Sequence, residues 1–512
     1  MPRTEFAGDV RFVGTRIESD AEFSGAVFKK ETKFDRAFIG GAAWFNVAAK
    51  KSTTRSTVFV GPVSFYNAQI KGDCDFRGAK FGNNTNFSSV TFGRGVRFET
   101  LPVKECLCRT RFRGEASFYS AAVSGDLNFN GVQFNKKANF TLVKVEGEAR
   151  FREVAWKNEN IVVRFGGEVS FFNAHLEANC YFVGTHFEGR TVFDRLQVAG
   201  NLVFRTTTCM GEILPCCFVN KVSFVNAHID GEAEFQRTVF SGEAVFDRAE
   251  IDGVARFAGT DFRERLSLRD AKFHIFFFED DRAVNVKPQN DSVEESLSAT
   301  RFKEVDLRGF SYDSMSTDWR KLFARMHPYD RQPFSVLEKN LRTSGDDRGA
   351  DDAYLLRREQ ERSSVHQRVF NERRFREFPK LLFDWSQWLF NYGVRPYRLL
   401  VIGIAIIALG VFVFTRPHAV KKKTTTPASA SENSQFDGLN ATQALGLSLH
   451  LFSPVDIASG SEWEPTQELV PYLERLKVSY AGYASFHRIA GFILVPLLLI
   501  VLTGLLRRQA KP

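Results

Sequence analysis

The stretch FYNAQIKGDCDFRGAKFGNNTNFSSVTFGRGVRF (residues 65–98) decides the fold of the first half of the chain. Its large apolar residues alternate steps of 5 and 6, a period of 11 that neither an α-helix nor an open β-strand has. These residues are Phe65, Ile70, Phe76, Phe81, Phe87, Phe92 and Phe98. The residue two positions before each is small or β-branched, as at Ala68, Cys74 and Thr85. Each short side of the structure is therefore expected to point two residues inward.

Gly, Asn, Asp and Ser lie between the large residues, where the chain must turn repeatedly. Two 11-residue units would give four sides and about 22 residues per coil. We therefore expect a mainly β fold, a parallel β-solenoid in which each large residue stacks on its equivalent in the next coil. Right-handed coiling follows from the crossover rule for parallel strands.

The coils are grouped in a longer sequence repeat. The same register begins again at Phe12, Phe118, Phe171 and Phe224, with blocks 53 residues apart. Within each block one step is 14 residues long instead of 5, as from Phe45 to Phe59. The 53 residues are thus two coils plus a nine-residue insertion. We predict that the insertions form a ridge on one side of the solenoid, spaced about 10 Å apart along a rod of about ten coils.

These repeats resemble the pentapeptide-repeat family, in the variant with phenylalanine at the central position. Examples are Ala-Glu-Phe-Ser-Gly (21–25), Ala-Asn-Phe-Thr-Leu (138–142) and Ala-Glu-Phe-Gln-Arg (233–237). The resemblance covers residues 3 to about 278 and implies a right-handed β-helix. The steps of 6 depart from the strict five-residue spacing of that family. We assign residues 1–280 to the solenoid.

Helical patterns follow in residues 281–396, which we interpret as a linker and a cytoplasmic helical region. Ser316 is a candidate N-cap for a segment ending near Met326. Pro333 suits the first turn of a second helix that stops before Gly345. A third helix is predicted from about Asp347 to Arg376.

Two apolar segments predict transmembrane helices at residues 397–416 and 487–507, with a cytoplasmic tail at 508–512. The charge-free runs, Leu399–Thr415 and Ile489–Leu506, are long enough to cross a bilayer with little tilt. Trp385, Trp388 and Tyr392 precede the first span, as an interfacial aromatic belt would. Short strings here, such as Gln332-Pro333-Phe334 and Phe486-His487-Arg488-Ile489, also resemble the membrane-bound branch of the family.

Residues 417–486 are predicted to form an extracytoplasmic loop. It carries two amphipathic stretches at helical spacing, one with Leu445, Leu449 and Phe452, the other with Leu469, Leu473, Leu476 and Tyr480. Basic residues before the first span and after the second, with no signal peptide at Met1, place both termini in the cytoplasm. Lys421–Lys423 opposes this orientation. We expect a multi-pass protein of a bacterial inner (plasma) membrane, with the lipid bilayer as one partner.

No residue pattern predicts catalytic chemistry, and we expect no enzyme, no cofactor and no catalytic or metal site. Cys74 and Cys180 occupy the small inward position, so they are expected in the core. The other five cysteines fall in insertions without the spacing of a zinc site: Cys106, Cys108, Cys209, Cys216 and Cys217. His175 and His228, one long repeat apart, are expected to face outward about 10 Å from each other.

The charge of the predicted solenoid argues against two classes of function. Residues 1–280 carry 37 Lys+Arg and 34 Asp+Glu, which fits neither an acidic DNA mimic nor a basic nucleic-acid-binding surface. We therefore predict a membrane-anchored interaction or scaffold protein that binds an unidentified protein through the solenoid face or the insertion ridge. The uncapped first coil at Phe6 makes another copy of the chain a further candidate partner. The alternative is a channel-like or degenerate two-span pore, although Leu451–Asp456 offers no potassium-filter sequence.

Overall fold

The computed structural model describes residues 3–50, 53–103, 105–209, 212–278, 300–316, 318–371, 375–377, 379–380, 397–422, 439–455, 462–470 and 478–502. The chain divides into two compact units, Met1–Ala350 and Asp351–Pro512.

The first unit is a parallel β-solenoid in which every coil has four short sides, here called the first to fourth faces in chain order. Strands of successive coils pair in parallel. Glu5 pairs with Val27, one coil length farther along the chain. Val27 pairs with Val58, where an insertion lengthens the step between the partners. The coil length and the nine-residue insertion predicted from the sequence are therefore confirmed.

The first-face strands are Glu5–Phe6, Val27–Phe28, Val58–Phe59, Lys80–Phe81, Arg111–Phe112, Gln133–Phe134, Arg164–Phe165, His186–Phe187, Cys217–Phe218 and Val239–Phe240. The second-face strands are Val10–Arg11, Thr32–Lys33, Val63–Ser64, Thr85–Asn86, Ala116–Ser117, Ala138–Asn139, Val169–Ser170, Thr191–Val192, Val222–Ser223 and Ala244–Val245. Asp261–Ser267 and Arg301–Asp306 run through both of these faces.

The third-face strands are Arg16–Ile17, Phe38–Ile39, Gln69–Ile70, Thr91–Phe92, Ala122–Val123, Lys144–Val145, His175–Leu176, Gln197–Val198 and His228–Ile229. The fourth-face strands are Ala21–Glu22, Ala43–Trp44, Cys74–Asp75, Val96–Arg97, Leu127–Asn128, Ala149–Phe151, Cys180–Val183, Leu202–Arg205 and Ala233–Glu234. Glu250–Arg256, Lys272–Phe277 and Ser311–Met315 run through both of these faces.

Columns of inward side chains fill the solenoid. Phenylalanines stack ring on ring along the first, second and fourth faces; the Phe76 and Phe98 centroids, for example, are 4.8 Å apart with planes at 1°. The column of the third face is largely aliphatic, with Ile39, Ile70 and Val145 almost fully buried. Rings of neighbouring columns meet edge to face, as Phe87 does with Phe98. The predicted inward positions are confirmed.

The solenoid continues past residue 280, so its predicted end there is too early. Arg301 pairs with Asp261, and Ser311 pairs with Lys272, which adds a twelfth coil among the described residues. The sequence pattern misses this coil because the step from Asp261 to Arg301 is nearly twice the length of an ordinary coil. A long excursion between paired strands is tolerated because the entropy of closing a loop grows only slowly with its length.

Two helices cover the last coil, α1 (Trp319–Phe323) and α2 (Arg331–Thr343). The Phe323 and Phe334 rings lie 5.0 Å apart, and His327 N–H donates to the Val305 carbonyl at 2.8 Å, which extends the edge of the last strand. These helices therefore protect an open sheet edge and belong to the first unit. The predicted N-cap is wrong: the Ser316 hydroxyl accepts a hydrogen bond from Phe278 N–H, and Asp318 is the N-cap residue.

The second unit is mainly helical. It contains most of α3 (Asp347–Phe370), a 3-10 turn at Phe375–Glu377, α4 (Tyr397–Phe414), α5 (Ala441–Phe452) and α6 (Tyr480–Leu502). Strands Val420–Lys422 and Trp463–Pro465 pair antiparallel. Helices α4 and α6 are long and apolar enough to cross a membrane, and α6 starts at Tyr480, before the predicted 487. The predicted aromatic belt (385–392) and tail lie outside the described residues.

The predicted amphipathic stretches are corrected in two ways. Leu445 and Leu449 lie in α5 as expected but are exposed, whereas Ala444, Leu447 and Leu451 form its buried face. The second stretch does not begin as a helix, because Leu469 forms an antiparallel bridge with Ser479. The predicted positions Leu473 and Leu476 lie outside the described residues.

Candidate functional site

Four β-hairpins project from the corner between the fourth and first faces, and we call them the hairpin ridge. Each follows the fourth-face strand of every second coil, at the positions of the predicted insertions. Their paired strands are Ala48–Lys50 with Thr53–Arg55, Leu101–Val103 with Cys106–Cys108, Val154–Trp156 with Glu159–Ile161, and Thr207–Cys209 with Glu212–Leu214. The hairpins begin at equal intervals, one long repeat apart. The sequence predicted the place of the ridge but not its hairpin structure.

Glycine corners in the intervening coils let the hairpins pack closely. Gly78 has a φ of +70°, and a Cβ added there would lie 2.4 Å from Val47 Cγ2 and 2.8 Å from Cys108 Cβ. Its N–H donates to the Thr110 hydroxyl at 2.8 Å, and that hydroxyl donates to the Glu99 carbonyl. Only a residue without a side chain fits both the backbone angle and the space. The hairpins are thus seated on the solenoid, which means that they pack directly against its glycine corners.

Polar contacts join successive hairpins. Lys157 Nζ lies 2.9 Å from Glu105 Oε2, and Arg109 lies 3.6 Å from Glu159 Oε2. These pairs are exposed, so each contributes little stability, but together they align the second and third hairpins. The Thr207 hydroxyl donates to Glu153 Oε1 at 2.8 Å and links the third hairpin to the fourth.

The charge of the ridge changes along its length. Residues 48–56 of the first hairpin contain three basic residues and no acidic one, whereas residues 206–215 of the fourth contain one acidic residue and no basic one. The surface is therefore a row of mixed-charge hairpins with a basic end.

A buried carboxylate lies beside the first hairpin. Asp75 is fully buried and pairs with Arg77 at 2.7 Å, while Asn46 Nδ2 donates to its Oδ2 at 2.9 Å. Burial by itself raises the pKa of Asp75, but the hydrogen bonds from Arg77 and Asn46 outweigh that effect and hold the pKa below its usual value. The ionised carboxylate therefore stabilises this corner.

The cysteines divide between core and surface. Cys74 and Cys180 are fully buried at the small inward position, as predicted, and burial raises the pKa of both thiols. Cys106 is exposed and Cys108 is buried, both on the second hairpin. The assignment of Cys216 to the ridge is wrong: it is fully buried two positions before Phe218, in the same kind of slot as Cys74.

The remaining cysteines do not complete a cluster. Cys217 is half-buried in a first-face strand, again part of the coil and not of the ridge. Cys209 is in the fourth hairpin, and its side chain lies outside the described residues. Among the described thiols, the distribution between core and hairpins brings no metal-binding set together.

The two histidines lie in third-face strands, and their side chains face outward as predicted, about two-fifths exposed. His175 Nδ1 pairs with Gln197 Oε1 at 2.8 Å. His228 lies 3.0 Å from Asp230 and 3.8 Å from Asp252, and one ligand atom from each of these three residues falls within 4.8 Å of the others. Sequence reasoning missed the two aspartates because pairing between coils brings them together. Exposed groups of this kind are common without a metal, and no second feature assigns an ion here.

In the second unit, α5 packs between α4 and α6. The Ser448 hydroxyl donates to the Ile407 carbonyl of α4 at 2.9 Å and lies 3.1 Å from His487 Nε2 of α6. His487 is fully buried. Gly410 and Gly491 permit this close packing, since an added Cβ would lie 2.2 Å from Ser448 Oγ and 1.8 Å from the Phe452 carbonyl.

The end of α5 reaches the middle of α6. Phe452, its last residue, contacts Gly491, near the midpoint of α6 (Tyr480–Leu502). Beyond the C-terminal end of α4, strand Val420–Lys422 pairs with strand Trp463–Pro465, which follows α5. Lys421 Nζ lies 3.8 Å from Glu464 Oε2 between these strands. Helix α5 is therefore a half-length helix alongside the two apolar helices.

The fold defines the class of the protein: a parallel β-solenoid built from short repeats, joined to two helices apolar and long enough to cross a membrane. A family model described as "Pentapeptide repeats (9 copies)" matches residues 55–100, 109–155 and 235–280. These stretches of the solenoid therefore carry pentapeptide repeats, and the two apolar helices fit a membrane-anchored variant of such proteins. No curated protein and no solved structure matches the chain significantly.

Proposed function

We propose that this protein is a membrane-anchored, non-enzymatic interaction protein whose hairpin ridge docks a cytosolic protein. The observation that carries this proposal is the ridge itself: four hairpins recur once per long repeat and are seated on glycine corners. The solenoid core does not require these hairpins. Because the ridge is held rigid along the solenoid, it is suited to binding an extended partner surface. The mixed charge of the ridge favours a protein partner over nucleic acid.

The anchor is proposed to be α4 and α6, which cross the inner (plasma) membrane of a bacterium. Two spans place both termini on one side, and the basic residues flanking the spans favour the cytoplasm for that side. Labelling of cysteines introduced near each terminus, in intact cells against broken cells, tests the orientation.

The docking proposal is tested by removing one hairpin without removing its coil. The 14-residue step from Phe151 to Phe165 is shortened to the five-residue step that the preceding coil uses from Phe129 to Phe134. Full-length chain is cross-linked in its own membranes, and the captured proteins are identified by mass spectrometry. We expect the docked protein to be lost from this variant.

The matched control is Val219→Lys, which alters an exposed side chain (51 % exposed) outside the ridge. It should recover the same protein as the unaltered chain. Recovery of one identical set of proteins from all three chains would contradict docking on the ridge.

A channel-like pore is the second candidate function, and α5 is the observation that favours it. A half-length helix between two spans that ends at mid-span has the layout of a re-entrant pore helix. Purified full-length chain in planar bilayers should then carry unitary currents. Gly491→Leu, which displaces Phe452, should abolish them, whereas silence of the unaltered chain under every ion gradient rejects a pore.

A further inference from the structure

A row of exposed apolar side chains follows the corner between the second and third faces, away from the hairpin ridge. Each coil turns this corner with two residues, here called the first and second turn residues. In every second coil from the first to the ninth, the first turn residue is apolar, and we call Val13, Tyr66, Tyr119, Phe172 and Val225 the apolar row. Tyr66, Tyr119 and Phe172 are 48 %, 44 % and 39 % exposed. The core does not need these side chains, since the inward column lies beside them.

The second turn residue has a different character. It adopts a positive φ between +52° and +65° in the coils of the row, and in the three aromatic coils it is Asn67, Ser120 or Asn173. Each aromatic side chain is thus followed across the corner by a small polar residue. In these three coils the corner therefore presents a large ring on its second-face side and a small side chain on its third-face side.

Two of the coils between the apolar ones carry charges in a fixed order. Asp35 and Arg36 are the first and second turn residues of one coil, and Asp194 and Arg195 take the same places farther along. Both carboxylates are held by the next coil: Asp35 accepts from the Ser64 hydroxyl and from Tyr66 N–H at 3.1 Å. Asp194 accepts equivalently from the Ser223 hydroxyl and from Val225 N–H at 2.9 Å. The order of charges is therefore built into the coil stacking.

We propose that a second copy of this chain docks along the apolar row, in parallel, about a two-fold axis that runs along the solenoid. That axis brings the first turn residue of one copy against the second turn residue of the same coil in the other copy. Tyr119 then packs over Ser120 of the second copy, and Asp35 faces Arg36 of the second copy. The interface is isologous, so each such contact occurs twice.

Charge selects the parallel arrangement over the antiparallel one. The apolar row is also symmetric about Tyr119, so an antiparallel pair would match Tyr66 with Phe172 equally well. It would, however, keep first turn residues opposite first turn residues, which sets Asp35 against Asp194 and Arg36 against Arg195. Facing like charges disfavour that pair, whereas the parallel pair faces opposite charges in both coils.

The size of the row sets the strength expected of the dimer. From Val13 to Val225 the row spans eight coil steps, about 38 Å at about 4.8 Å per step. With a contact width of about 15 Å it buries roughly 600 Å² per copy, at the lower limit for a specific interface. Pairing is therefore weak for free chains and is favoured when a shared membrane raises the local concentration.

Cross-linking of full-length chain in its membranes tests the arrangement. Ser89→Cys, a second turn residue off the centre of the row, is placed in a background with Cys106→Ser, Cys209→Ser and Cys217→Ser. We expect a disulfide-linked dimer when Ser89→Cys is mixed with Ser88→Cys in the same background, because Ser88 is the first turn residue that faces Ser89 in the parallel pair. A disulfide that forms only when Ser89→Cys is mixed with Leu142→Cys, the second turn residue on the other side of Tyr119, identifies the antiparallel pair and overturns the proposal.

Substitution of the central ring tests the surface. Tyr119→Lys should lower the yield of the dimer between Ser88→Cys and Ser89→Cys at least tenfold, while the matched control Val60→Lys, 52 % exposed on another corner, should leave it unchanged. Both changes are at exposed positions, and equal resistance of the two variants to protease confirms that the solenoid is folded. No dimer in any variant, or equal yields with Tyr119→Lys and Val60→Lys, overturns the proposal.

Discussion

Replacing Phe98 by leucine tests whether ring stacking, beyond burial, stabilises the coils. Phe98 is fully buried, and its ring stacks on Phe76 and Phe129 at 4.8 Å each. It also meets Phe87 and Phe118 edge to face at 5.4 and 5.5 Å. Leucine keeps most of the apolar burial but makes none of these ring pairs.

The magnitude follows from the number of pairs lost. An aromatic pair contributes about 0.5 to 1.5 kcal/mol beyond its buried area. The two stacked and two edge-to-face pairs share partners and do not add fully, so they give about 2 to 3 kcal/mol, and the wider tilted contacts of Phe98 with Phe81 and Phe112 are not counted. Phe92 is the internal control because it is equally buried but lies in the aliphatic column between Ile70 and Val123. Among the described residues, its ring meets the ring of Phe87, with the centroids 6.4 Å apart. Phe92→Leu should therefore cost only about 1 kcal/mol.

The assay is pulse proteolysis of full-length chain in mild detergent over a urea series, with the midpoint of solenoid cleavage as the readout. Both variants remove the same atoms from equally buried positions, so their midpoints compare directly. Phe98→Leu should show the larger decrease. Equal decreases, or a larger one for Phe92→Leu, would refute the claim that stacking matters beyond burial.

Three further outcomes are expected. Gly78→Ala should destabilise the solenoid by about 1 to 3 kcal/mol more than Gly14→Ala in the same urea assay, because both positions have positive φ but only Gly78 lacks space for a Cβ; equal effects would show that the hairpins are not seated on the corner. The pKa of Asp75 is lower in the folded than in the unfolded chain, so its stabilisation is complete above about pH 4 and is lost as the pH falls through the folded-state pKa. Asp75→Asn should lower the midpoint at neutral pH and flatten its acid dependence, and an unchanged dependence would assign the effect to other groups. Maleimide should label Cys106 in the folded chain and Cys74 only after unfolding, since burial raises the pKa of the Cys74 thiol; mass spectrometry of the labelled peptides checks this, and early labelling of Cys74 would contradict its core position.

Local periodicity determined the solenoid. The 5-and-6 alternation sets which residues point inward, and inward stacking sets the coil length, so coil register and the position of each insertion follow from the same alternation. The same rule placed Cys74 and Cys180 in the core. It also places Cys216 there, two residues before Phe218, but the long step before Phe218 hid that slot among the insertion residues.

The candidate surfaces depend on which coils become neighbours. Asp230 follows His228 by two residues, but Asp252 comes beside them only through pairing of the third face. The hairpins likewise pack on glycines that are distant in the sequence. The residues of the apolar row are one long repeat apart in the sequence. Only the structure shows that they form an exposed surface, because it places both turn residues outside the core. Exposure is a property of the packed coil, whereas the repeat alone gives only spacing.

By itself the sequence determined the repeat, the four faces and the two apolar helices, because each of these features follows from residue spacing within a short segment of the chain. Only the tertiary structure decided where the solenoid ends, how α1 and α2 cover its last strand, and that α5 lies between α4 and α6. These features join residues across long, irregular connections, where no period operates. In these regions shape and hydrogen bonding decide which segments pack together. The open edge of the last strand is covered by α1 and α2, and glycines in α4 and α6 leave room for α5.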